Sequence, residues 1–325
     1  MKTFLGVDGG GTQTRFALID ETGKLLASHL EGPAYYLEIG LDGLREMLTR
    51  GIGQTLSQGN LREADLTHAF LGLPAYGEDS KLLPDLNAAP AQALPHGRYG
   101  CGNDMVCGWA GALAGADGIN IVSGTGSIAY GEFAGRNARA GGWGELFSDE
   151  GSSYWLAREG LRLFARMSDG RSPRGALYEQ VRRHFSLASD LDLCAAIYGQ
   201  AIAQRSQFAQ LSRLVIAAAA AEDPAALGLL ESAARELADI VDAVRGGLQI
   251  PAEALIPVSA SGGMFQPGNG LRERLESQLQ RRCARYRFVA ALLPPDVGAA
   301  IQAARLNGTP LAAASLEALA RAGRR

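Results

Sequence analysis

The 325 residues are 47% hydrophobic and 20% charged, and the formal net charge at pH 7 is −3. A chain of this length predicts two domains of ordinary size. The sequence has no Lys/Arg-rich run and no apolar stretch of about 18 residues, so it indicates neither a nucleic-acid partner nor a membrane span. The apolar stretch near the N-terminus is too short for a signal peptide.

The first part of the chain predicts a β-meander followed by helices and further strands. Short apolar runs between Gly-containing turns predict strands at 4–8, 14–19, 25–29, 69–73 and 98–103. Apolar residues at helical spacing predict a helix at 41–56. A second helix is predicted at 105–113, directly after Asp104.

The strand–turn–strand pattern then returns, about one domain length later. Its strands are predicted at 119–123, 128–133 and 138–141. Residues 154–244 are predicted to be mostly helical. The last part of the chain predicts strands at 254–260 and 288–292 and helices at 271–280, 297–306 and 311–322. A duplicated α/β protein is the expected fold class.

Cysteines and histidines are scattered through these elements. Cys101, Cys107, Cys194 and Cys283 form no C-x-x-C pair, and the four histidines do not cluster. This spacing does not favour a zinc or iron–sulfur site. We expect reduced thiols in a cytoplasmic protein.

A glycine-rich turn, residues 9–12, follows Asp8. Because it joins two predicted strands, it is neither a P-loop nor a dinucleotide-binding turn, both of which lead into a helix. Glycine allows the backbone to adopt positive φ and to present several N–H groups to phosphate oxygens. Asp8, at the end of a buried strand, suits Mg²⁺ binding through water. Taken alone, the turn is explained equally well as an ordinary tight hairpin.

A second turn, Ser-Gly-Thr-Gly-Ser at residues 123–127, occupies the equivalent place in the repeat. Two such turns facing each other across an interdomain cleft would hold the phosphates of one nucleotide from both sides. A third segment, Ser261-Gly262-Gly263, follows a predicted strand, and small residues there would let an adenosine lie against the backbone. Alone this third segment is weak, because strand–Gly–Gly–helix is common in α/β proteins.

Four strings together resemble motifs of the N-acetylglucosamine kinases in order and spacing. They are D-G-G-G-T from Asp8, S-G-T-G-S from Ser123, G-G-W-G from Gly141 and D-E-G-S-S-Y-W from Asp149. Those kinases belong to the actin–hexokinase–heat-shock chaperone ATPase superfamily, in a branch with glucosamine kinases and the ATPase subunits that energise benzoyl-CoA reduction. The resemblance runs to about residue 160 and continues loosely to Gly298.

The resemblance implies two ribonuclease H-like domains with an interdomain cleft. We expect an N-terminal ATPase domain at 1–115 and a second domain with a helical insert at 116–325, whose last helix packs back on the first. It also implies ATP and Mg²⁺ as cofactors and phosphorylation of a sugar hydroxyl, expected to be the 6-hydroxyl of N-acetylglucosamine or glucosamine. The implied nucleotide-binding residues are Gly10, Gly11, Thr12, Thr125, Gly262 and Gly263, and the implied metal residue is Asp8. The implied sugar-binding residues are Tyr35, Asp104, Ser127, Gly142, Trp143, Gly144 and Asp149.

Asp104 matches the catalytic base of the family. Chemistry asks for a carboxylate there, since an aspartate that accepts a hydrogen bond from a sugar hydroxyl orients it towards the γ-phosphate. Asp104 also precedes a predicted helix, where it could serve as the N-cap. In the same way, Trp143 could lie in the core, and Glu150 could simply cap the helix that runs from Ser152.

Two positions depart from the family pattern. The asparagine expected before a Leu-x-Ile-Gly-like segment is replaced, with Tyr35 aligning best, and the asparagine expected after Ser127 is Ile128. Each replacement removes a polar contact to the sugar, and such contacts discriminate strongly between analogues. The sugar is therefore left open.

Two other functions use the same fold. An ATPase that activates a partner reductase would hold an iron–sulfur cluster between subunits, for which Cys101 and Cys107 are poorly placed. A non-catalytic sugar-sensing protein is disfavoured because Asp8, Asp104 and both Gly/Thr turns are present. A homodimer is plausible for the family, but the sequence reveals no interface.

Overall fold

The computed structural model describes residues 1–199 and 205–322. The chain divides into two compact units, one of residues Met1–Asn120 with Ala290–Arg325 and the other of residues Ile121–Val289. The domain bounds 1–115 and 116–325 stay a prediction. Among the described residues, no helix has the length and apolar character needed to cross a bilayer.

The strands and helices have the following bounds. The strands are β1 (Thr3–Asp8), β2 (Thr14–Asp20), β3 (Leu25–Glu31), β4 (His68–Leu73), β5 (Tyr99–Asn103), β6 (Gly118–Ser123), β7 (Ser127–Phe133), β8 (Arg136–Gly141), β9 (Ile256–Ser261) and β10 (Tyr286–Val289). The helices are α1 (Tyr36–Gln58), α2 (Leu83–Ala88), α3 (Met105–Leu113), α4 (Ser153–Ser168), α5 (Ala176–Phe185), α6 (Asp192–Tyr198), α7 (Arg205–Ala209), α8 (Ser212–Ala220), α9 (Pro224–Gly247), α10 (Leu271–Arg282), α11 (Pro295–Leu306) and α12 (Ala313–Ala322).

The first unit contains a five-stranded sheet in the order β3-β2-β1-β4-β5. β1 is antiparallel to β2 and parallel to β4, and β4 is parallel to β5. The carboxyl ends of β1, β4 and β5 therefore meet at one edge of the sheet, which is where ligands bind in α/β proteins.

Alternation of side chains along β1 gives this sheet two buried faces. Leu5 and Val7 belong to a cluster on the side of α1 that includes Leu44 and Leu48. Phe4 belongs to a second cluster with residues of α11 and α12. The two helical layers hold β1 in the centre of the sheet, so its last residue, Asp8, has a fixed position.

The second unit repeats this arrangement. Its five-stranded sheet has the order β10-β9-β6-β7-β8, with β7 antiparallel to β8 and β9 parallel to β10. Read from the equivalent strands, β8-β7-β6-β9-β10 matches β3-β2-β1-β4-β5. α9 packs against β7 and β8. The expected α/β class with two duplicated, mixed sheets is confirmed.

The predicted helix and one predicted strand differ in detail from the structure. α1 begins at Tyr36 but has a kink at Gly40, where φ is 72°, so its longer part starts at the predicted residue 41 and ends at Gln58. The strand predicted at 288–292 is β10, which ends at Val289. The backbone N–H groups of Leu292 and Leu293 instead donate to the carbonyls of Ala112 and Gly111. Residues 292 and 293 therefore bond to the end of α3 and do not continue β10.

Candidate functional site

The first glycine-rich turn is fixed at its base and open at its tip. The N–H of Gly9 donates to the carbonyl of Gly72 at 2.8 Å, and a β-carbon on Gly9 would lie 2.7 Å from that oxygen. The N–H of Ala34 donates to the carbonyl of Gly10 at 2.9 Å. Gly11 and Thr12 are exposed. The turn can present its tip to a ligand without moving its base.

Tyr35 follows Ala34 directly and is therefore held next to this turn. Its ring is half-buried and lies 6.5 Å from that of Tyr36. The first unit thus brings Tyr35 close to the backbone of Gly10. This proximity is required if Tyr35 binds a sugar beside the nucleotide that the turn is predicted to bind.

Strand register places Asp104 beside Asp8. Asp8 pairs with Gly72, and Gly72 pairs with Gly102, two residues before Asp104. A β-carbon on Gly72 would lie 3.0 Å from Cα of Asp104 and 2.2 Å from Sγ of Cys107. Glycine at this position leaves room for the start of α3 to pack against the end of β4.

Asp104 occupies the N-cap position of α3, as the alternative interpretation expected, but not with the hydrogen bond of a cap. Its side chain makes no capping hydrogen bond. Oδ1 of Asn103 instead accepts from the N–H of Met105 at 3.1 Å. Asn103, and not Asp104, therefore bonds the first backbone N–H of α3 through its side chain in the usual capping manner.

Electrostatics distinguishes the two carboxylates. Burial, followed by the charges of Asp104 and Asp296, raises the pKa of Asp8 to about 8, although Arg15 opposes the shift. Burial raises the pKa of Asp104 to about 6, with Glu78 adding to the shift and the backbone at Met105 opposing it. A carboxyl group with a pKa of about 6 is ionised at neutral pH and still basic enough to take a proton.

Asp296 was missed by the motif analysis. It lies in the first turn of α11, and its backbone carbonyl sits against β1, since a β-carbon on Gly6 would lie 2.2 Å from that oxygen. Its Oδ1 is buried without a hydrogen-bond partner. The only signal in the sequence was its place in Pro294-Pro295-Asp296, just before the small-residue run at Gly298.

These carboxylates fit a hydrated Mg²⁺ ion better than a closed metal cage. No group of three or more His, Cys, Asp or Glu residues within the described parts of the chain is arranged to hold a metal. Mg²⁺ is usually bound by one or two carboxylates together with water and substrate phosphates. The raised pKa of Asp8 and the unpartnered oxygen of Asp296 are both features that a nearby cation would relieve.

The cysteines of this unit are held as thiols. Sγ of Cys107 is buried and lies 3.6 Å from the carbonyl of Val7 as a hydrogen-bond donor. Burial raises the pKa of Cys101 to about 12. Metal ligation needs the thiolate, so neither residue favours the iron–sulfur alternative.

In the second unit, the Ser123–Ser127 turn is bonded to the start of α4. The N–H groups of Ser153 and Tyr154 donate to the carbonyls of Gly124 and Thr125 at 2.8 and 3.3 Å. The hydroxyl of Ser127 donates to the carbonyl of Glu150 at 2.7 Å. Thr125 remains exposed. The turn and the segment at 149–154 therefore form one hydrogen-bonded assembly.

The predicted capping role of Glu150 was wrong. Oγ of Ser152 caps α4 by accepting from the N–H of Trp155 at 3.1 Å. The carboxylate of Glu150 instead accepts from the hydroxyl of Ser148 at 3.1 Å. Serine is a favoured N-cap, and Ser152 lies two residues after Glu150.

The loop at residues 141–148 carries three of the predicted sugar-binding residues, Gly142, Trp143 and Gly144. Gly141, Gly142 and Gly144 all have positive φ, of 72°, 69° and 97°. Trp143 is 69% exposed, with the Arg139 guanidinium 5.5 Å from its ring centroid. The alternative that Trp143 is a core residue is therefore wrong.

Ile128 lies against this loop. A β-carbon on Gly142 would lie 2.6 Å from Cδ1 of Ile128. The residue that departs from the family pattern thus contacts a predicted sugar-binding glycine, and it presents a methyl group there rather than an amide. This contact makes position 128 relevant to the choice of sugar.

Asp149 is buried at the centre of the same assembly, and its own φ is 58°, in the left-handed region. Its Oδ1 accepts from the N–H of Ser127 at 3.3 Å, and its Oδ2 accepts from Nη2 of Arg205 at 2.5 Å. Nε of Arg205 also lies 3.0 Å from Oε2 of Glu145. Sequence reasoning missed Arg205 and Glu145, because no local motif marks either residue.

The site residues thus fall into two groups. The first unit brings together Asp8, Gly10, Gly11, Thr12, Tyr35 and Asp104. The second unit brings together Thr125, Ser127, Gly142, Asp149 and Gly262, with Trp143, Gly144 and Gly263 on the adjoining segments. Their roles in binding stay predictions.

Comparison with known proteins gives a consistent set of relatives. An N-acetyl-D-glucosamine kinase of Dictyostelium discoideum is 27% identical over 311 residues, 92% of this chain and 97% of the relative. An N-acetylmuramic acid/N-acetylglucosamine kinase of Clostridium acetobutylicum is 28% identical over 307 residues, 93% of this chain and 98% of the relative.

Solved structures agree on the fold. A Chromobacterium violaceum protein matches with a TM-score of 0.72 and 28% identity, over 93% of this chain and 99% of that chain. The ROK hexokinase of Thermus thermophilus matches with a TM-score of 0.57 and 17% identity, over 94% and 99% of the two chains, and supports the fold alone. The model of one family matches residues 5–303, and the chain belongs to that family, the BadF/BadG/BcrA/BcrD ATPases.

Proposed function

We propose that the chain is an ATP-dependent kinase that phosphorylates a hydroxyl of an amino sugar, expected to be the 6-hydroxyl of glucosamine or N-acetylglucosamine. Membership of an ATPase family supports the use of ATP. The names of the relatives from Dictyostelium discoideum and Clostridium acetobutylicum support the class of sugar. The observation that carries the proposal is the Asp104 carboxylate, which lies close enough to Asp8 at the end of β1 for its charge to raise the pKa of Asp8, and whose own pKa burial raises to about 6.

In the proposed reaction, the sugar hydroxyl oxygen forms a bond to the γ-phosphorus of ATP. The bond between that phosphorus and the bridging oxygen breaks, and its electrons leave with ADP. The hydroxyl proton passes to Asp104, which is ionised at neutral pH. Asp104 also fixes the direction of the attacking oxygen, and positioning of this kind provides much of the rate in phosphoryl transfer.

The remaining roles follow from the two glycine-rich turns. Gly10, Gly11 and Thr12 are proposed to contact the β- and γ-phosphates through the exposed tip of their turn, and Thr125 to contact phosphate from its own turn. Gly262 and Gly263 are proposed to flank the adenosine. Asp8 would hold Mg²⁺ through water, and the ion would neutralise phosphate charge.

Tyr35, Ser127, Gly142, Trp143, Gly144 and Asp149 are proposed to bind the sugar. Trp143 is exposed between two glycines that have positive φ, and an exposed indole ring suits packing against a sugar. The apolar contact of Ile128 with Gly142 leaves the acetylation state of the sugar open. ATP and a small sugar are the proposed partners, and a cytoplasmic location and a homodimer remain predictions.

A coupled assay of ADP release tests the proposal. Purified protein, Mg²⁺ and ATP are combined with glucosamine, N-acetylglucosamine, glucose or N-acetylmannosamine. We expect glucosamine or N-acetylglucosamine to stimulate ADP release, and Asp104→Asn to abolish the stimulation. ADP release that no sugar stimulates would contradict a sugar kinase and favour an ATPase that acts on a partner protein.

A further inference from the structure

Arg205 is a charged residue of the second unit that no motif includes. It lies in α7, and its guanidinium reaches two carboxylates, those of Glu145 and Asp149. Ring contact between Tyr154 and Phe208, with centroids 4.7 Å apart, holds α7 against α4. The arginine is therefore placed by packing of its own helix.

The guanidinium also lies directly on the second glycine-rich turn. A β-carbon on Gly126 would lie 2.6 Å from Nη2 of Arg205 and 2.8 Å from Oδ2 of Asp149. Glycine at position 126 leaves the space that this ion pair occupies. The Ser123–Ser127 turn, Asp149 and Arg205 therefore pack as one piece.

Asp149 depends on Arg205 for its charge and its orientation. The side chain of Asp149 is 3% exposed, so an ionised carboxylate there needs compensation. Among the described residues, one oxygen receives a backbone N–H, from Ser127, and the other receives the guanidinium. A carboxylate has about four acceptor positions, so these two contacts do not use its full acceptor capacity.

We propose that Arg205 is a positioning residue that holds the Asp149 carboxylate, and through Glu145 the loop at residues 141–148, in place for the sugar. This inference rests on the proposed function, in which Asp149 accepts hydrogen bonds from sugar hydroxyls. An arginine suits the role because its planar guanidinium can bond two carboxylates at once, which a lysine ammonium does less well.

The charges around Asp149 have opposing effects. Burial raises the pKa of Asp149, the nearby Glu145 adds to that shift, and Arg205 opposes it. The carboxylate of Glu150 is engaged by Ser148. Removing the arginine charge therefore raises the pKa of Asp149, and the protonated form loses acceptor capacity. Sugar binding should then fail at a higher pH than in the unmodified protein.

The test compares Arg205→Gln, Arg205→Lys and a matched control, Arg213→Gln. Arg213 is an exposed arginine of α8 whose side chain bonds only Gln210 among the described contacts. We expect Arg205→Gln to raise KM for the sugar by at least about tenfold, as for loss of a hydrogen bond to a charged group. The KM for ATP should change less than about threefold, the acid limb of kcat/KM should move to higher pH, and Arg205→Lys should restore part of the loss.

A second readout does not depend on turnover. The titration of Asp149 can be followed by NMR of ¹³C-labelled aspartate, with Asp149→Asn to assign the signal. We expect a higher pKa in Arg205→Gln than in Arg213→Gln. Equal Asp149 titrations and equal sugar KM values in these two variants would overturn the proposal. A protein that phosphorylates no sugar but shows the shifted titration would retain the Arg205–Asp149 coupling and reject the sugar role.

Discussion

Gly262 packs directly on the backbone of Ser123. Its φ is 105°, and a β-carbon there would lie 2.3 Å from the carbonyl oxygen of Ser123. Residue 262 must therefore be glycine both for its conformation and for its contact with the start of the second glycine-rich turn. This differs from the reason inferred from the sequence, which was close approach of an adenosine.

The contact predicts different outcomes for two glycines of the second unit. Gly262→Ala should displace the Ser123–Ser127 turn and weaken ATP binding by about tenfold or more, since the clash is with backbone. Gly246→Ala is the control, because Gly246 is exposed near the end of α9, outside the proposed binding residues, and nothing lies within 4 Å of a β-carbon there. Isothermal titration with ATP measures both variants. Equal affinities would show that the Gly262–Ser123 contact does not place the nucleotide site.

Asp104 should give the reaction an acid limb. As the proposed base it must be ionised, so kcat should fall about tenfold per pH unit as the pH drops below about 6, the raised pKa of Asp104. Asp104→Asn should lower kcat by about 10²–10⁴-fold at pH 7.5 with little change in ATP affinity. Steady-state kinetics from pH 5 to 8 checks both. A variant that keeps the activity and the acid limb would remove Asp104 as the base.

Asp8 should make the Mg²⁺ requirement depend on pH. Because its pKa is raised to about 8, a proton competes with the cation below that pH. The apparent affinity for Mg²⁺ is measured from the Mg²⁺ dependence of kcat/KM for ATP at saturating sugar. This affinity should therefore increase from pH 6.5 to 8. Asp8→Asn removes this component and retains only the pH dependence of ATP itself. If the two proteins respond alike, Asp8 does not hold the ion.

Close packing of α11 against α3 predicts a stability difference between two helical glycines. A β-carbon on Gly298 would lie 2.2 Å from the backbone nitrogen of Gly111, whereas one on Gly228, exposed in α9, meets nothing within 4 Å. Gly298→Ala should destabilise the protein by about 1–3 kcal/mol or more. Gly228→Ala should stabilise it by about 0.5–1 kcal/mol. Urea unfolding measures both, and comparable changes in the two variants would refute the packing argument.

Local sequence signals predicted the elements that form the first half of the site. Alternating apolar residues and the glycine cluster located β1, its turn and β2, because strand and turn preferences act over a few residues. Asp104 was placed correctly after β5 for the same reason. Its approach to Asp8 depends on the pairing of β4 with both strands, which local patterns do not specify.

The features that were missed arise from contacts between distant segments. Arg205 meets Asp149 and Glu145 because α7 packs on α4, and nothing in the helical sequence marks that arginine. Asp296 reaches the carboxylates of the first unit only because α11 crosses β1 at Gly6. Trp143 was ambiguous for another reason, since composition alone does not tell an exposed aromatic residue from a buried one.

The most direct test of the proposed sugar kinase activity follows the terminal phosphoryl group of ATP. With γ-³²P-labelled ATP and glucosamine or N-acetylglucosamine, we expect label to enter a sugar phosphate, and Asp104→Asn to form this product about 10²–10⁴-fold more slowly. Label that appears only as inorganic phosphate, at a rate unaffected by any sugar, would contradict it.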